Sequence, residues 1–434
     1  MTDTLARDGA ADCFTPASIN GLELKNRFIK AGTFENMTPG GMPSERLNIF
    51  HGAFADGGIA MTTLGYCAVE MDGRLNENMM YMHEGIRPQL SKLIADLHGR
   101  GTKVSGQMGH CGGFSKNSEL SRKRPLGPSF GLNGLGLSRG MLFCDAMTLR
   151  DIDELVANYR KAAVFMKSVG FDALEIHLGH GYGLCQFMSP KTNKRKDNYG
   201  GSLENRMRLP LQVLAAVRQA VGKDFPLLAK ISMTEGVRGG LHYDDSVAIS
   251  RFLDKAGIDG IITSGGTSTM NPMIMFRGGN ILPSMLKTEK SLIMRLILRL
   301  AGKSMFKDYP YHELYFLEQA KRIRDAVSCK MIYVGGASSN ASFATLMEQG
   351  FDFIQLGRTL LSDPDLVNSA KLNADFVSRC THCNAGYSLH TVFRRSIIAN
   401  GLSVFATKKI KGKNWERNNR QRTGYIKTVY HQGF

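Results

Sequence analysis

The sequence predicts a (β/α)8 TIM barrel from eight short apolar runs, the amphipathic stretches between them, and the polar or glycine residues that end the runs. The runs are rich in β-branched residues and cover 27–33, 58–65, 102–108, 172–178, 226–233, 258–264, 330–335 and 352–357. Helical periodicity marks the stretches Arg87–Arg100, Ile152–Val169, Arg206–Val221 and Asp244–Ala256. Apolar strands that alternate with helices indicate a parallel sheet covered on both faces, and eight such units favour a closed barrel.

The residues at the carboxyl ends of the runs form a candidate active-site rim. They are Thr33, Gly65, Gln107, His177, Ser264, Gly335 and Gly357. Barrel enzymes place their active sites on this rim. A single glycine after a strand can be only a turn residue, so the prediction rests on the set as a whole.

Two long insertions interrupt the alternation, and a basic segment ends the chain. Residues 110–150 are rich in Gly, Ser and Pro, which predicts a lid or a substrate wall after the third strand. Residues 270–312 follow the sixth strand and include Met285–Met305, where Leu, Ile and Met alternate with Lys and Arg. We therefore expect a barrel domain over 1–400 and a basic C-terminal extension over 401–434.

Composition narrows the class of protein. The chain has 434 residues, 43% of them hydrophobic, and eight cysteines, most of them without framework spacing, which predicts reduced thiols in a cytoplasmic protein. The first 14 residues resemble no signal peptide, and no apolar stretch is long enough to span a membrane. The net charge of +17 leaves two interpretations of the basic tail and of Met285–Met305. They are a solvated tail with an amphipathic helix packed on the barrel, or a peripheral contact with anionic lipid or with the acidic part of a substrate or redox partner. Oligomerisation stays open, and no specific nucleic-acid site is expected.

The segment LEIHLGHGYGLCQFMSPKTNKRKDNYGGSLENR, residues 174–206, carries the candidate chemistry. His177, His180 and Tyr182 fall in one turn on the rim. Two imidazoles can donate to one oxygen and polarise a carbonyl, and a phenol beside them can protonate a carbanion. Two other interpretations remain at this point: ordinary hydrogen bonds, or a zinc site. Zinc would need a third ligand, and no HExxH spacing is present, so no metal is predicted.

This segment strongly resembles the signature of the Old Yellow Enzyme family of NADH:flavin oxidoreductases. LKNRFIKAGT, GGIAMTTLGY, GQMGH, YVGG and LGRTLLSDPDL support the resemblance in the same order along the strands. The resemblance runs from about Leu24 to about Asn384. It is to the barrel domain of the 2,4-dienoyl-CoA reductase branch, without the nucleotide-binding domain of that branch.

The resemblance implies FMN at the barrel mouth. The positions that match flavin contacts are Ala31, Gly32, Thr33, Tyr66, Gln107 and Lys230. Those that match the phosphate site are Gly335, Gly336, Gly357 and Arg358, in agreement with the usual phosphate position after strands seven and eight. Gln107 would hydrogen-bond the pyrimidine edge of the flavin. Lys230 stands near flavin N1, where most members have arginine.

The resemblance also implies an ene-reductase that uses NADH or NADPH. The carbonyl oxygen of an α,β-unsaturated substrate would bind to His177 and His180, flavin N5 would deliver hydride to the β-carbon, and Tyr182 would protonate the α-carbon. The composition of the 110–150 insertion suggests a large apolar enone. Two alternatives remain: a dehydrogenase or demethylase that works oxidatively, and a non-catalytic basic adaptor on a barrel scaffold.

Two departures from the family pattern affect the prediction. Phe34 stands where relatives often carry Thr, Cys or His near flavin O4, so we expect different redox tuning. Cys380 and Cys383 match the start of the iron–sulfur motif of the branch, but Tyr387 replaces the third cysteine and no cysteine follows. Because such a cluster needs four ligands, we expect none, and we interpret the pair as a remnant rather than as a redox or metal site.

Overall fold

A computed structural model describes residues 12–289 and 292–384. All of them lie in the first of the two units into which the chain divides, Met1–Ala385. The predicted domain boundary at residue 400 and the basic extension over 401–434 lie outside the described residues and stay predictions.

Eight parallel strands close into a barrel, which confirms the predicted fold. Each strand pairs with its neighbours in the sequence, and the eighth pairs with the first. In chain order the strands are β1 Phe28–Lys30, β2 Met61–Ala68, β3 Lys103–Gly109, β4 Ala173–Leu178, β5 Leu227–Ser232, β6 Gly260–Ser264, β7 Lys330–Tyr333 and β8 Phe353–Leu356. Strand β2 runs three residues further than its predicted end, because its pairing with β3 resumes after an irregularity between Leu64 and Cys67. Gly65 therefore lies within β2 rather than at its end.

Helices surround the barrel and connect its strands. They are α1 Glu45–Asp56, α2 Arg87–Gly99, α3 Leu149–Ser168, α4 Gly183–Met188, α5 Leu203–Val221, α6 Tyr243–Lys255, α7 Leu282–Thr288, α8 Leu292–Met305, α9 Leu317–Arg324, α10 Asn340–Glu348, α11 Arg358–Ser362 and α12 Leu366–Leu372. Helices α3 and α5 begin three residues before their predicted starts. Thr148 and Ser202 cap them, each accepting a backbone N–H of the first turn, so the helix begins at the cap and not at the first apolar residue.

An N-terminal hairpin closes the bottom of the barrel. Strands Ala17–Ile19 and Leu22–Leu24 pair antiparallel ahead of β1. Ile19 and Leu24 are fully buried among residues near the amino ends of the barrel strands, such as Ile29, Met61 and Leu228. The opposite, carboxyl end of the strands therefore remains the mouth.

Both predicted insertions lie on the mouth side, since each follows the carboxyl end of a strand. The first contains a small sheet of Leu126–Gly127, Gly131–Leu132 and Phe143–Ala146. The second contains α7 and α8. Within the described residues, no helix combines the length and apolarity needed to cross a bilayer.

Candidate active site

A tight turn after β4 brings the predicted catalytic residues together. His177 lies in β4, and His180 and Gly181 both adopt left-handed backbone, with φ of 59° and 76°. A Cβ on Gly181 would lie 2.4 Å from Thr267 Oγ1, so this position requires glycine. The turn ends at Tyr182, which precedes the first residue of α4.

Four rings meet at this end of the barrel. The His177 ring centroid is 5.0 Å from that of His180, 5.8 Å from that of Tyr182 and 5.7 Å from that of Tyr66. The Tyr66 and Tyr182 centroids are 6.0 Å apart. The predicted oxygen anchors and proton donor therefore form one cluster, with Tyr66 of β2 as its fourth member.

The two imidazoles are neutral at physiological pH. Burial, with a smaller contribution from Lys230, lowers the pKa of His177 to about 3. Burial also holds the pKa of His180 well below its usual range. His180 Nε2 lies 2.8 Å from Ser264 Oγ, and the His180 amide donates to Ser232 Oγ at 2.8 Å. Nδ1 of His177 is buried without a hydrogen-bond partner among the described residues, which leaves it for a ligand.

Glu175 organises the floor of the mouth. Its carboxylate is fully buried and accepts from Gln107 Nε2 at 2.5 Å and from Gln355 Nε2 at 3.0 Å. Lys230 Nζ lies 3.0 Å from the same carboxylate. Because Gln107 gives an N–H to Glu175, its carbonyl oxygen remains as an acceptor, suited to an imide N–H. Lys230 is a paired cation rather than an isolated one.

A second buried ion pair supports the loop after β1. Lys30 pairs with Glu35, whose other carboxylate oxygen accepts from the Gly65 amide at 3.2 Å. The Glu35 amide in turn donates to the Gly65 carbonyl at 3.2 Å. These contacts hold Phe34 in left-handed backbone, at a φ of 52°, which is unfavourable for a bulky residue. The loop is therefore built by interactions that its own sequence does not reveal.

Glycine residues allow close contacts with the backbone around the mouth. A Cβ on Gly32, which lies between Ala31 and Thr33, would lie 3.1 Å from Gln107 Nε2. A Cβ on Gly65 would lie 2.8 Å from Gly32 Cα, and one on Gly109 only 2.0 Å from the Tyr66 hydroxyl oxygen. These positions form a thin shelf beside Gln107, of the kind on which a planar ring can lie.

An apolar wall borders the four rings. Leu75, Met79 and Cys111 are buried with Tyr66 and Ala68, and partly buried apolar side chains pack against them: Phe34, Tyr81, Leu135 and Tyr182. Leu135 belongs to the 110–150 insertion, so this segment contributes to the wall. Its role as a lid or substrate wall stays a prediction.

The predicted phosphate residues lie together beyond β7 and β8. Gly335 and Gly336 have φ of 148° and 83°, and the backbone N–H groups of Gly336 and Ala337 donate to no acceptor among the described residues. Arg358 Nη1 donates to the Arg277 carbonyl at 2.7 Å and to Asn384 Oδ1 at 2.8 Å. The Arg277 guanidinium lies 4.9 Å from the Tyr315 ring centroid, against the ring that covers Gly336. Two arginines and two available amides suit a phosphate.

Cys380 and Cys383 lie beside this phosphate region but assemble no recognisable metal site. Cys380 Sγ is 3.6 Å from His382 Nδ1, and the His382 ring stacks on Tyr311 at a centroid distance of 3.5 Å. Burial raises the pKa of the Cys380 thiol above its usual range. Within residues 12–289 and 292–384, no group of three or more His, Cys, Asp or Glu side chains is arranged to hold a metal ion. The expected absence of an iron–sulfur cluster stays a prediction.

The fold and the mouth define a class of barrel oxidoreductase that binds a phosphorylated, planar cofactor. The glycine shelf, the acceptor oxygen of Gln107, the unpaired His177 Nδ1 and the arginine-flanked amides all fit FMN. The sequence profile of the NADH:flavin oxidoreductase / NADH oxidase family matches residues 12–269, and the chain belongs to this family. Its cofactor is FMN, with NADH or NADPH as reductant.

Individual relatives differ in the reactions that their names record. The chain is 37% identical over 394 residues to a 4,4'-dithiodibutanoate disulfide reductase of Rhodococcus erythropolis, covering 90% of this chain and 96% of the relative. A 2-naphthoyl-CoA reductase structure shares the fold with a TM-score of 0.73 at 22% identity, over 87% of this chain and 55% of the other. A morphinone reductase structure has a TM-score of 0.64 at 21% identity, over 84% and 92%.

Several residues at the site escaped the sequence analysis. They are Lys30, Glu35, Glu175, Ser232, Arg277 and Gln355. Charged residues inside apolar runs were the available signal for Lys30 and Glu175, because a charge in a buried strand needs a partner. Nothing local distinguished Arg277 from other basic residues of the second insertion.

Proposed function

We propose that this protein uses NADH or NADPH to reduce the activated C=C bond of an α,β-unsaturated carbonyl compound. The observation that carries the proposal is the cluster of two neutral histidines and one tyrosine at the carboxyl end of β4. This geometry suits an acceptor whose oxygen must be held while a neighbouring carbon is protonated.

FMN would bind on the shelf formed around Ala31, Gly32 and Thr33, with Tyr66 beside it and Gln107 and Lys230 at its pyrimidine edge. Its phosphate would bind to the amides near Gly335, Gly336 and Gly357 and to Arg358. Bound FMN supplies two-electron hydride chemistry between the nicotinamide and the acceptor. The remaining contributions come from side chains of this chain.

His177 and His180 hold and polarise the carbonyl oxygen. Because both imidazoles are neutral, each carries one N–H to donate and neither repels the paired Lys230. If Ser264 donates to His180 Nε2, His180 Nδ1 carries the proton. Negative charge that develops on the carbonyl oxygen is then stabilised by two preorganised donors.

Tyr182 donates the proton that completes the reduction. A phenol is a weak acid, but the α-carbon of an enolate is basic enough to take its proton. The apolar wall of Leu75, Met79 and Leu135 limits water at this point, so the proton source is the side chain. The same wall favours an apolar acceptor.

Disulfide reduction is the second candidate, favoured by the disulfide reductase that is 37% identical to the chain. In that reaction NAD(P)H and one proton convert R–S–S–R into two thiols. The leaving thiolate is far less basic than a carbanion, so its departure needs little acid catalysis. The two candidates therefore differ in how strongly they depend on Tyr182.

The test is anaerobic mixing of NADH-reduced protein with 2-cyclohexenone or with 4,4'-dithiodibutanoate, following flavin reoxidation. We expect the enone to reoxidise the flavin. Tyr182→Phe should slow this step by roughly 100-fold or more while flavin reduction by NADH stays near the wild-type rate. Rapid reoxidation by the disulfide alone, insensitive to Tyr182→Phe, would favour the second candidate.

Two outcomes contradict the ene-reductase proposal. Equal slowing of both half-reactions in Tyr182→Phe would show that the tyrosine is not the proton donor. Oxidation of an amine or alcohol substrate by the oxidised flavin, with no reoxidation by the enone, would indicate a dehydrogenase or demethylase.

A further inference from the structure

Helix α8, Leu292–Met305, packs on the barrel through one face, as far as its described side chains show. Leu298 and Phe306 are buried, and Gly302 packs so closely on α7 that a Cβ there would lie 2.6 Å from Leu282 Cδ1. Asn280 Nδ2 donates to the Phe306 carbonyl at 2.8 Å and ties the end of the helix down. The helix follows β6, so it lies on the same side of the barrel as the mouth.

The opposite face of α8 exposes a stripe of leucines. Leu292, Leu296 and Leu300 are 76%, 56% and 79% exposed. A spacing of four residues places them on one side of an α-helix. Single exposed leucines are ordinary, but a continuous stripe of three marks an interaction surface.

Cations flank the leucine stripe. Arg299 and Lys303 are exposed and fall at helical angles between and beside the leucines. No Asp or Glu occurs from Lys290 to Lys307, and the whole chain has a net charge of +17. The surface therefore combines exposed apolar side chains with cations from a stretch of sequence that contains no acidic residue.

Charge complementarity distinguishes the two kinds of partner that could cover this surface of α8. A second copy of the chain would bring the same patch against itself, and its cations would then face each other. An anionic bilayer complements both the leucines and the cations, because leucines enter the headgroup–acyl boundary while Arg and Lys stay with the lipid phosphates. We propose that α8 docks the mouth side of the barrel on an anionic membrane surface.

The experiment uses the full-length flavoprotein and sedimentation with extruded vesicles at low salt. Vesicles of phosphatidylcholine alone are compared with vesicles containing about a third phosphatidylglycerol, which gives the surface its negative potential. We expect binding to the anionic vesicles only, weakening as salt increases. Leu296→Glu/Leu300→Glu and Arg299→Glu/Lys303→Glu should each weaken binding by roughly tenfold or more.

The matched control is Ile49→Glu/Val164→Glu, which changes two exposed apolar residues on the outer helices α1 and α3 and adds the same charge as Leu296→Glu/Leu300→Glu. It should bind like the wild type, and an unchanged flavin spectrum verifies the fold of every variant. Three outcomes overturn the proposal: no binding of the wild type to anionic vesicles, equal binding of the α8 variants, or a dimer in light scattering that Leu296→Glu/Leu300→Glu dissociates.

Discussion

At the scale of single residues, Glu175 has the widest influence on the mouth. Its carboxylate orients Gln107, pairs with Lys230 and accepts from Gln355. Gln107 and Lys230 were expected as flavin contacts, and Glu175 determines what each can offer: an acceptor oxygen and a compensated charge. It is a positioning residue for the predicted flavin site.

Glu175→Gln tests this role. Removing the carboxylate leaves the Lys230 ammonium buried without its counterion, so we expect the free energy of unfolding to fall by about 3 kcal/mol. The uncompensated cation also stabilises the reduced, anionic flavin, so the midpoint potential should increase. Urea unfolding and spectroelectrochemical titration measure the two effects. The double variant Glu175→Gln/Lys230→Met should lose less stability than the sum of the losses in Glu175→Gln and Lys230→Met. Strict additivity would show that the two side chains do not interact.

At the scale of secondary-structure elements, the packing at strand ends and turns depends on glycine residues. Strand β3 supplies Gln107 and ends at Gly109, and the Tyr66 hydroxyl lies where a Cβ of Gly109 would be. Tyr66 of β2 can therefore pack into the four-ring cluster only because β3 ends in glycine. The motif GQMGH indicated the strand but not the ring that covers it.

Gly109→Ala should displace Tyr66. We expect a loss of about 1–3 kcal/mol in the free energy of unfolding, from overpacking, together with weaker FMN binding. The matched control is Gly99→Ala at the end of α2, where an added Cβ meets nothing within 4 Å and stability should hold or rise slightly. Chemical unfolding and fluorescence titration with FMN measure both effects. Equal behaviour of the two variants would contradict the packing argument.

At the scale of the whole molecule, burial of histidines couples folding to pH. His51, His110 and His177 are buried and His180 is largely so, and loss of hydration lowers the pKa of each imidazole. They are neutral in the folded chain, whereas an unfolded chain protonates histidine near pH 6.5. Between pH 6.5 and about 3, where His177 titrates, the unfolded state therefore binds more protons.

We expect the contribution of these histidines to the free energy of unfolding to be fully present above pH 6.5 and to decrease as the pH falls below that value. His51, His177 and His180 have strongly lowered pKa values, and each contributes up to about 1.4 kcal/mol per pH unit, so these three together remove roughly 4 kcal/mol by one unit below that value. His110, whose pKa is lowered less, adds a smaller contribution in the same direction. Glu235 has a pKa raised by burial, so its contribution to the free energy of unfolding increases as the pH falls and opposes that of the histidines. Urea unfolding from pH 7.5 to 5.5 measures the slope, and His51→Gln should reduce it by one proton. A flat profile over this range would contradict the prediction.

The sequence by itself determined the barrel, its eight strands and the turn that carries His177, His180 and Tyr182. Strand and helix periodicity are local properties, and the turn lies within six residues, so both can be deduced without knowing the packing. The contacts of the floor could not be deduced in this way. Glu175 meets Gln107 across 68 positions and Gln355 across 180, because only closure of the barrel brings their strands together.

Tertiary structure also decided what the departures from the family pattern mean. Phe34 was noted as unusual, but the Lys30–Glu35 pair and the Gly65 amide are what hold its backbone. The Met285–Met305 stretch was amphipathic in sequence, but only packing on α7 decided which face is covered and left Leu292, Leu296 and Leu300 exposed. Periodicity states that a helix has two faces, and its neighbours determine which of them meets solvent.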